Sequence, residues 1–238
     1  MAILAIDTST IVSGAAIVHN DKLVAEIIMQ LKLPQSEVLL GHIQDVLKIA
    51  HMDKSELTGI AISIGPGSFT GLRIGLATAK MLSYALDIPV VAVSSLKAMA
   101  YHYPVPGMYI ASVLDAQKSN AYFALYEWNN KTQTFDEKKQ TTVMDFEDVV
   151  NYCSNLDKPV VFVGDIAQKK SAILEKYKNV SLGLPHLCMP RASNVAMAAR
   201  KRFIQSNFDN IMDLEPVYIR RSEAEVLWEQ RHGKKLTE

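Results

Sequence analysis

Apolar and polar positions follow two rhythms along this chain, and the order in which the rhythms succeed one another occurs twice. Residues 2–7, 13–19 and 22–29 read as three short strands, parted by turns at 8–12 and at Asn20-Asp21, a good hairpin dipeptide. Residues 36–50 carry apolar side chains at 39, 43, 46, 47 and 50, the spacing of one helix face. A strand-length apolar run from Ile60 then meets Gly65-Pro66-Gly67 and passes at once into a helical pattern that ends at Leu86, and Val90 to Val93 read as a further strand. The second half starts over. Met108 to Asp115, Ala121 to Glu127 and Thr132 to Lys139 read as three strands, Phe146 to Cys153 as a helix, Val160 to Val163 as a strand and Asp165 to Tyr177 as a helix.

The repetition extends to details. Ile3 to Asp7 and Ser112 to Asp115 each place an aspartate at the end of an apolar strand, before a turn into the next strand, and Val163-Gly164-Asp165 repeats the strand, glycine, helix corner of Ile64-Gly65-Pro66. Three meandering strands followed by α-β-α-β in each half is the plan of two ribonuclease-H-like lobes, an α/β architecture shared by actin, hexokinase and Hsp70 (the ASKHA fold), each lobe holding a mixed five-stranded sheet. The expected division is a first lobe over 1–103, a second over 104–190 and a C-terminal extension over 207–238, with the hinge near Tyr101 to Gly107, where Pro104 and Pro106 stand. The helix within 191–206 is expected to return and cover the first lobe.

Between Ile60 and Leu86 the strand, tight turn and helix start form a corner with two readings. Ser68 or Thr70 can cap the helix, and the glycines would let a ligand approach its first amides. Gly-Pro-Gly before a helix is, however, more often a structural corner than a phosphate site. It is neither a Walker loop nor a dinucleotide fingerprint, because Gly-Lys-Ser/Thr does not follow and the Gly-x-Gly-x-x-Gly spacing is absent. The helix carries Gly71, Gly75, Ala79 and Ser83 in one row. A glycine inside a helix costs about 1 kcal/mol relative to alanine, so the row calls for a closely packed neighbour, either the chain's own sheet or a second chain.

The run from Gly65 to Lys80, Gly-Pro-Gly-Ser-Phe-Thr-Gly-Leu-Arg-Ile-Gly-Leu-Ala-Thr-Ala-Lys, together with Ile6-Asp7-Thr8-Ser9-Thr10, closely resembles the bacterial TsaB family. The likeness covers almost the whole chain and is strongest in the first hundred residues. Members of that family serve in threonylcarbamoyladenosine modification of tRNA and are paralogues of the catalytic subunit TsaD. The resemblance implies the fold read above and a non-catalytic scaffold that binds TsaD through the helices near 36–50 and 68–86 and helps recruit the ATPase TsaE. It also implies a homodimer when TsaD is absent, and contact with tRNA only through the complex. On this chain the implied partner interface falls on Leu39, Leu40, Ile43, Leu47, Gly71, Leu72, Arg73, Gly75, Leu76 and Ala79. The broad apolar set of the first helix, Val38, Leu39, Leu40, Ile43, Val46 and Leu47, exceeds what one sheet needs, so part of it is expected to be exposed. One departure is Gln35, which precedes Ser36-Glu37 where many relatives have a histidine.

Working ASKHA proteins bind ATP between the lobes, with the strand-ending aspartates managing metal and water and turn glycines admitting phosphates to backbone amides. Here Asp7, Thr8, Asp115 and Gly164 make at most a vestigial nucleotide site. Asp115 is followed by Ala116-Gln117-Lys118 in place of an Asp-x-Gly turn, and Gly164 by Asp165, a carboxylate aimed at a would-be anion. In TsaD a His-x-x-x-His pair follows the strand equivalent to Val90–Val93, and this chain offers Ser95 and Met99 there. The histidines at 19, 42, 51, 102, 186 and 232 include no pair at ligand spacing and read as surface or capping residues. Ser63, Ser68, Ser94 and Ser95 lack a Gly-x-Ser-x-Gly setting. No resident cofactor or metal is expected, ATP and metal belonging to the partner subunits. The rival reading is an independent ATPase or phosphotransferase built on Asp7, Thr8, Asp115 and Gly164.

Charge and composition narrow the setting. Lys plus Arg and Asp plus Glu each number 25, so the chain has no net positive field to draw nucleic acid. A third reading, direct RNA binding through Arg200-Lys201-Arg202, Arg220-Arg221 and Lys234-Lys235, therefore ranks last. At 238 residues the chain can bury about 70% of its unfolded surface, enough for two lobes. The first apolar run is interrupted by Asp7 and has no basic leader, no window of apolar residues is long enough to span a bilayer, and Cys153 and Cys188 lack both scaffold number and metal spacing. A cytoplasmic protein with reduced thiols is expected.

Overall fold

The computed structural model describes residues 1–30 and 35–219. β1 (Ala2–Asp7), β2 (Ser13–His19) and β3 (Lys22–Met29) form an antiparallel meander. Its hairpin turn sets Asn20 and Asp21 at φ 48° and 65°, the left-handed pair that a two-residue hairpin with right-handed twist requires. After α1 (Gln35–Ile49) come β4 (Gly59–Ser63), α2 (Phe69–Leu86) and β5 (Val90–Val93), and the two strands add in parallel beside β1. The sheet order is β3-β2-β1-β4-β5.

The second half repeats that plan. A short α3 (Ser95–Ala100) leads to β6 (Tyr109–Asp115), β7 (Asn120–Asn129) and β8 (Thr134–Asp145), then α4 (Phe146–Ser154), β9 (Val160–Val163), α5 (Asp165–Lys169), α6 (Ser171–Leu174) and β10 (Val180–Leu182). The order β10-β9-β6-β7-β8 is that of the first sheet element for element, so the two lobes are the same α/β unit built twice. Local details depart from the sequence reading. β8 runs to Asp145, well past the expected end at Lys139. The single helix expected over Asp165 to Tyr177 is broken at Lys170 (φ −117°, ψ 30°) into α5 and α6. α3 and β10 were not expected, because six and three residues are too short to display a period.

Helix α7 (Ala192–Ile204) packs on the first lobe. Its Ala192, Val195, Ala196, Ala199 and Phe203 pack on Ile3, Ala5, Ala16, Val18, Ala61 and Val91, one face of the first sheet. The other face is covered by α1 and α2, with Leu39, Ile43, Val46, Leu76 and Ala79 buried against Leu4, Ile6, Ile17, Ile60 and Ile62. With both faces covered, every residue of β1 is buried, which is why that strand reads as a continuous apolar run. α3 wedges between the lobes, its Leu96, Met99 and Ala100 sharing a core with Ile110, Leu114, Tyr126, Phe135 and Val163 of the second. Beyond α7 the chain runs as a strap back along the first lobe. Asp209 bridges to Val90, Leu214 enters the first core, and Val217 N donates to Ile64 O at 2.8 Å.

Two histidines are not at the surface. His42 is buried on α1, with Nδ1 at 3.4 Å from the Ser13 hydroxyl, and His102 is half-buried with Nε2 at 2.8 Å from Met189 O. Burial holds both below the usual imidazole range. Neither location could be read from the sequence, because each depends on a contact with a distant segment.

Candidate functional site

Asp7 ends β1 inside the protein, only 2% exposed. Its Oδ1 accepts from Ser9 N at 3.0 Å and Ser9 Oγ at 2.9 Å, while Oδ2 and the nearby Ser63 Oγ are buried without a hydrogen bond of ordinary geometry. Burial dominates and pushes the Asp7 carboxyl up to about 6, against the opposing pull of the Ser9 amide, the Ser9 hydroxyl and Ser63. Thr8 is also buried and its hydroxyl donates to Gly71 O on α2 at 2.7 Å. The Gly65-Pro66-Gly67 corner is closed over this turn. Ser68 N donates to Ser9 O at 2.7 Å, and a Cβ on Gly67 would stand 2.0 Å from that same carbonyl. Ser68 Oγ caps Gly71 N at 3.2 Å, so Ser68 and not Thr70 is the helix cap. The groups that would greet a phosphate here hold the chain to itself.

The equivalent end of the second lobe is more open and already neutralised. Lys169 Nζ lies 2.9 Å from Asp115 Oδ2 and 2.8 Å from Asp165 Oδ2, so an ammonium sits between the two carboxylates where a cation would be needed. Burial tends to raise the Asp115 pKa, but the Lys169 contact and the Gln117 amide outweigh it and hold the carboxyl below its ordinary range. Asp165 Oδ1 in turn accepts from Asp115 N at 2.9 Å. Gly164 has φ +132°, and a Cβ there would lie 1.6 Å from Val113 O, so this glycine is required where the chain leaving β9 presses against the neighbouring β6. The four residues of the proposed vestigial site thus fall into two separate clusters, Asp7 with Thr8 and Asp115 with Gly164.

Ser95 and Met99, at the positions where a histidine pair would stand, are fully buried on α3. Ser95 N donates to Gly65 O at 3.0 Å, its hydroxyl donates to Pro66 O, and Met99 fills the core between the lobes. The residues present do not fit the ATP and metal that this fold family holds. One aspartate is sealed in, the other pair holds a lysine, and the ligand positions are used for packing.

A face of α2 is left open. The row Gly71, Gly75, Ala79 and Ser83 is buried, and a Cβ on Gly75 would stand 2.2 Å from Thr8 Oγ1 and 3.3 Å from Ile62 Cδ1. The row therefore serves the chain's own sheet, which corrects the expectation that Gly71, Gly75 and Ala79 meet a partner. Leu39, Ile43, Leu72 and Leu76 are likewise buried in the first lobe, and Leu47 packs partly against its core. Of the expected interface only Leu40 and Arg73 are exposed. The opposite side of α2 presents Arg73, Ala77, Met81 and Tyr84, with Met81 51% and Tyr84 85% exposed. The strap flanks this ridge. Lys80 Nζ is 3.4 Å from Met212 O, and the Tyr218 ring lies 4.6 Å from that of Phe69. Ala77, Met81, Tyr84, Met212 and Tyr218 are not among the residues the sequence reading placed on an interface, although a methionine and a tyrosine out of phase with the small row were a signal that this side is open.

Among the described residues no group of three or more His, Cys, Asp or Glu side chains converges, and no helix is long and apolar enough to cross a membrane. The basic pairs at 220–221 and 234–235 lie outside the described residues. Of the basic run on α7, Arg200 pairs with Asp21 and Arg202 with Asp209.

The family model described as TsaD, tRNA N6-adenosine threonylcarbamoyltransferase, matches residues 34–228. The tRNA threonylcarbamoyladenosine biosynthesis protein TsaB of Bacillus subtilis (strain 168) is 31% identical over 230 residues, 96% of this chain and 98% of that protein. YeaZ from Pseudomonas aeruginosa superposes with a TM-score of 0.77 at 24% identity, over 91% of this chain and 99% of that one. Component A of the (R)-2-hydroxyglutaryl-CoA dehydratase of Acidaminococcus fermentans gives 0.51 at 13% identity, over 85% and 98%. Both superpositions show a common two-lobed fold.

Proposed function

This chain belongs to the TsaB family, and from that premise we propose that it acts in tRNA threonylcarbamoyladenosine biosynthesis as a non-catalytic subunit that docks TsaD and helps recruit TsaE. The observation that carries this reading is the open ridge on α2. Its inner side is fully used by the chain's own sheet, while its outer side keeps Met81 and Tyr84 in solvent. A methionine and a tyrosine at adjoining turns of one helix, with an arginine at its start, have the composition of an interface centre. The two strand-end clusters support the same reading, because their polar groups bind one another. ATP and metal then reside on the partner subunits, tRNA meets this chain through the complex, and a second copy takes the ridge when TsaD is absent.

Calorimetric titration of TsaD with the Tyr84→Glu variant tests the reading. Tyr84 touches little of its own chain, so the melting temperature stays at the wild-type value while the affinity for TsaD falls at least about tenfold. Undiminished binding by Tyr84→Glu and by Met81→Glu removes the ridge from consideration as the docking face.

A further inference from the structure

We propose that Arg73 is the polar anchor of the docking face, its guanidinium held ready to donate to a carboxylate on the TsaD partner. The inference rests on the docking role proposed above. Among the described residues, Arg191, Arg200 and Arg202 each pair with a carboxylate of the chain's own, Glu26, Asp21 and Asp209 respectively. Arg73 makes no such pair there. It is nonetheless held in place by two aromatic rings. Its Cζ lies 3.8 Å from the centroid of the Phe69 ring and 5.7 Å from that of Tyr218, and its Nε donates to Tyr218 Oη at 2.9 Å.

Those contacts fix the plane of the guanidinium and consume one of its donors. The terminal nitrogens, which form the fork that matches a carboxylate, make no hydrogen bond or ion pair among the described residues. Nothing in α2 itself calls for a cation at this point, because the N-terminal end of a helix carries the positive end of its dipole. The two rings come from different parts of the chain. Phe69 opens α2, and Tyr218 arrives on the strap from a sequence distance of 145 residues. Ordering the side chain in advance removes the rotamer cost that a long side chain otherwise meets on binding, which is the usual origin of an interface residue that dominates affinity. The chemistry assigned to the partner is therefore an apolar helix face for Ala77, Met81 and Tyr84 with an aspartate or glutamate at the end that meets Arg73. Tyr218 is a positioning residue, acting through Arg73.

The test is titration of purified TsaD with wild type, Arg73→Met, Arg73→Lys, Tyr218→Phe and Tyr84→Glu at low and at high salt. Arg73→Met is expected to weaken binding at least about tenfold and to flatten its salt dependence, with the melting temperature lowered only slightly by the lost contacts to Phe69 and Tyr218. Arg73→Lys restores the salt dependence but only part of the affinity, and Tyr218→Phe weakens binding several-fold while keeping the wild-type salt slope. Wild-type affinity and salt slope in Arg73→Met, with Tyr84→Glu impaired, overturn the anchor and leave the docking role standing. Wild-type binding by both variants overturns the docking face itself.

Discussion

Asp7 shows how one residue can be plain in the sequence and obscure in its physics. An aspartate at a strand end is visible as such, but its ionisation is set by the Gly65-Pro66-Gly67 corner and α2, which seal it from water. The folded chain holds the Asp7 proton more tightly than the unfolded chain does, with a pKa of about 6 against 3.8. The stabilisation from that proton is complete below the unfolded value and is lost as the pH rises through the folded one, so at neutral pH the ionised group costs about 3 kcal/mol relative to a neutral one. Asp7→Asn keeps an oxygen to accept from Ser9 and offers an amide to the unpaired Ser63 hydroxyl. The variant is expected to be more stable than wild type by up to about 3 kcal/mol near pH 7, with the gap closing toward pH 4. Urea unfolding across that range checks it, and a gap that does not change with pH shows that Asp7 does not titrate there.

At the scale of the element, α2 separates two glycines' worth of argument. Gly75 faces Thr8 and Ile62 so closely that a methyl cannot be placed without displacing the Thr8 hydroxyl from its bond to Gly71 O or moving the helix. Gly41 of α1 is exposed, with nothing within 4 Å of where its Cβ would lie. Gly41→Ala is therefore expected to raise stability by about 1 kcal/mol through helix propensity, whereas Gly75→Ala lowers it by about 1–3 kcal/mol despite the same propensity gain. Thermal unfolding of both variants decides the matter, and a stabilised Gly75→Ala contradicts the close packing of α2 on the sheet. The row of small residues was legible in the sequence as a demand for close approach. Which neighbour met the demand was not, because a periodic pattern marks a face without saying what covers it.

For the whole molecule the decisive element is α3, which leaves the first sheet and buries itself against the second. Leu96, Met99 and Ala100 share one core with Tyr126, Phe135 and Val163, and Tyr101 meets the Phe135 ring at 5.1 Å. Lobes joined through such a core unfold together. Met99→Ala is expected to cost about 2–5 kcal/mol and to lower a single calorimetric transition without splitting it. Two resolved transitions in the wild type contradict the shared core.

The duplicated plan, nearly every strand, the capped start of α2 and the return of the α7 region were determined by the sequence, because strand and helix periods and turn residues are local properties of the chain. The tertiary structure alone decided that Gly71, Gly75 and Ala79 turn inward, that Lys169 stands between Asp115 and Asp165, and that Phe69 and Tyr218 hold Arg73. Each of those outcomes needs at least one contact between segments far apart in sequence, β1 and β4 with α2, Asp115 with Lys169 and Tyr218 with Arg73, and no periodicity within a single segment encodes which distant side chain will be its neighbour.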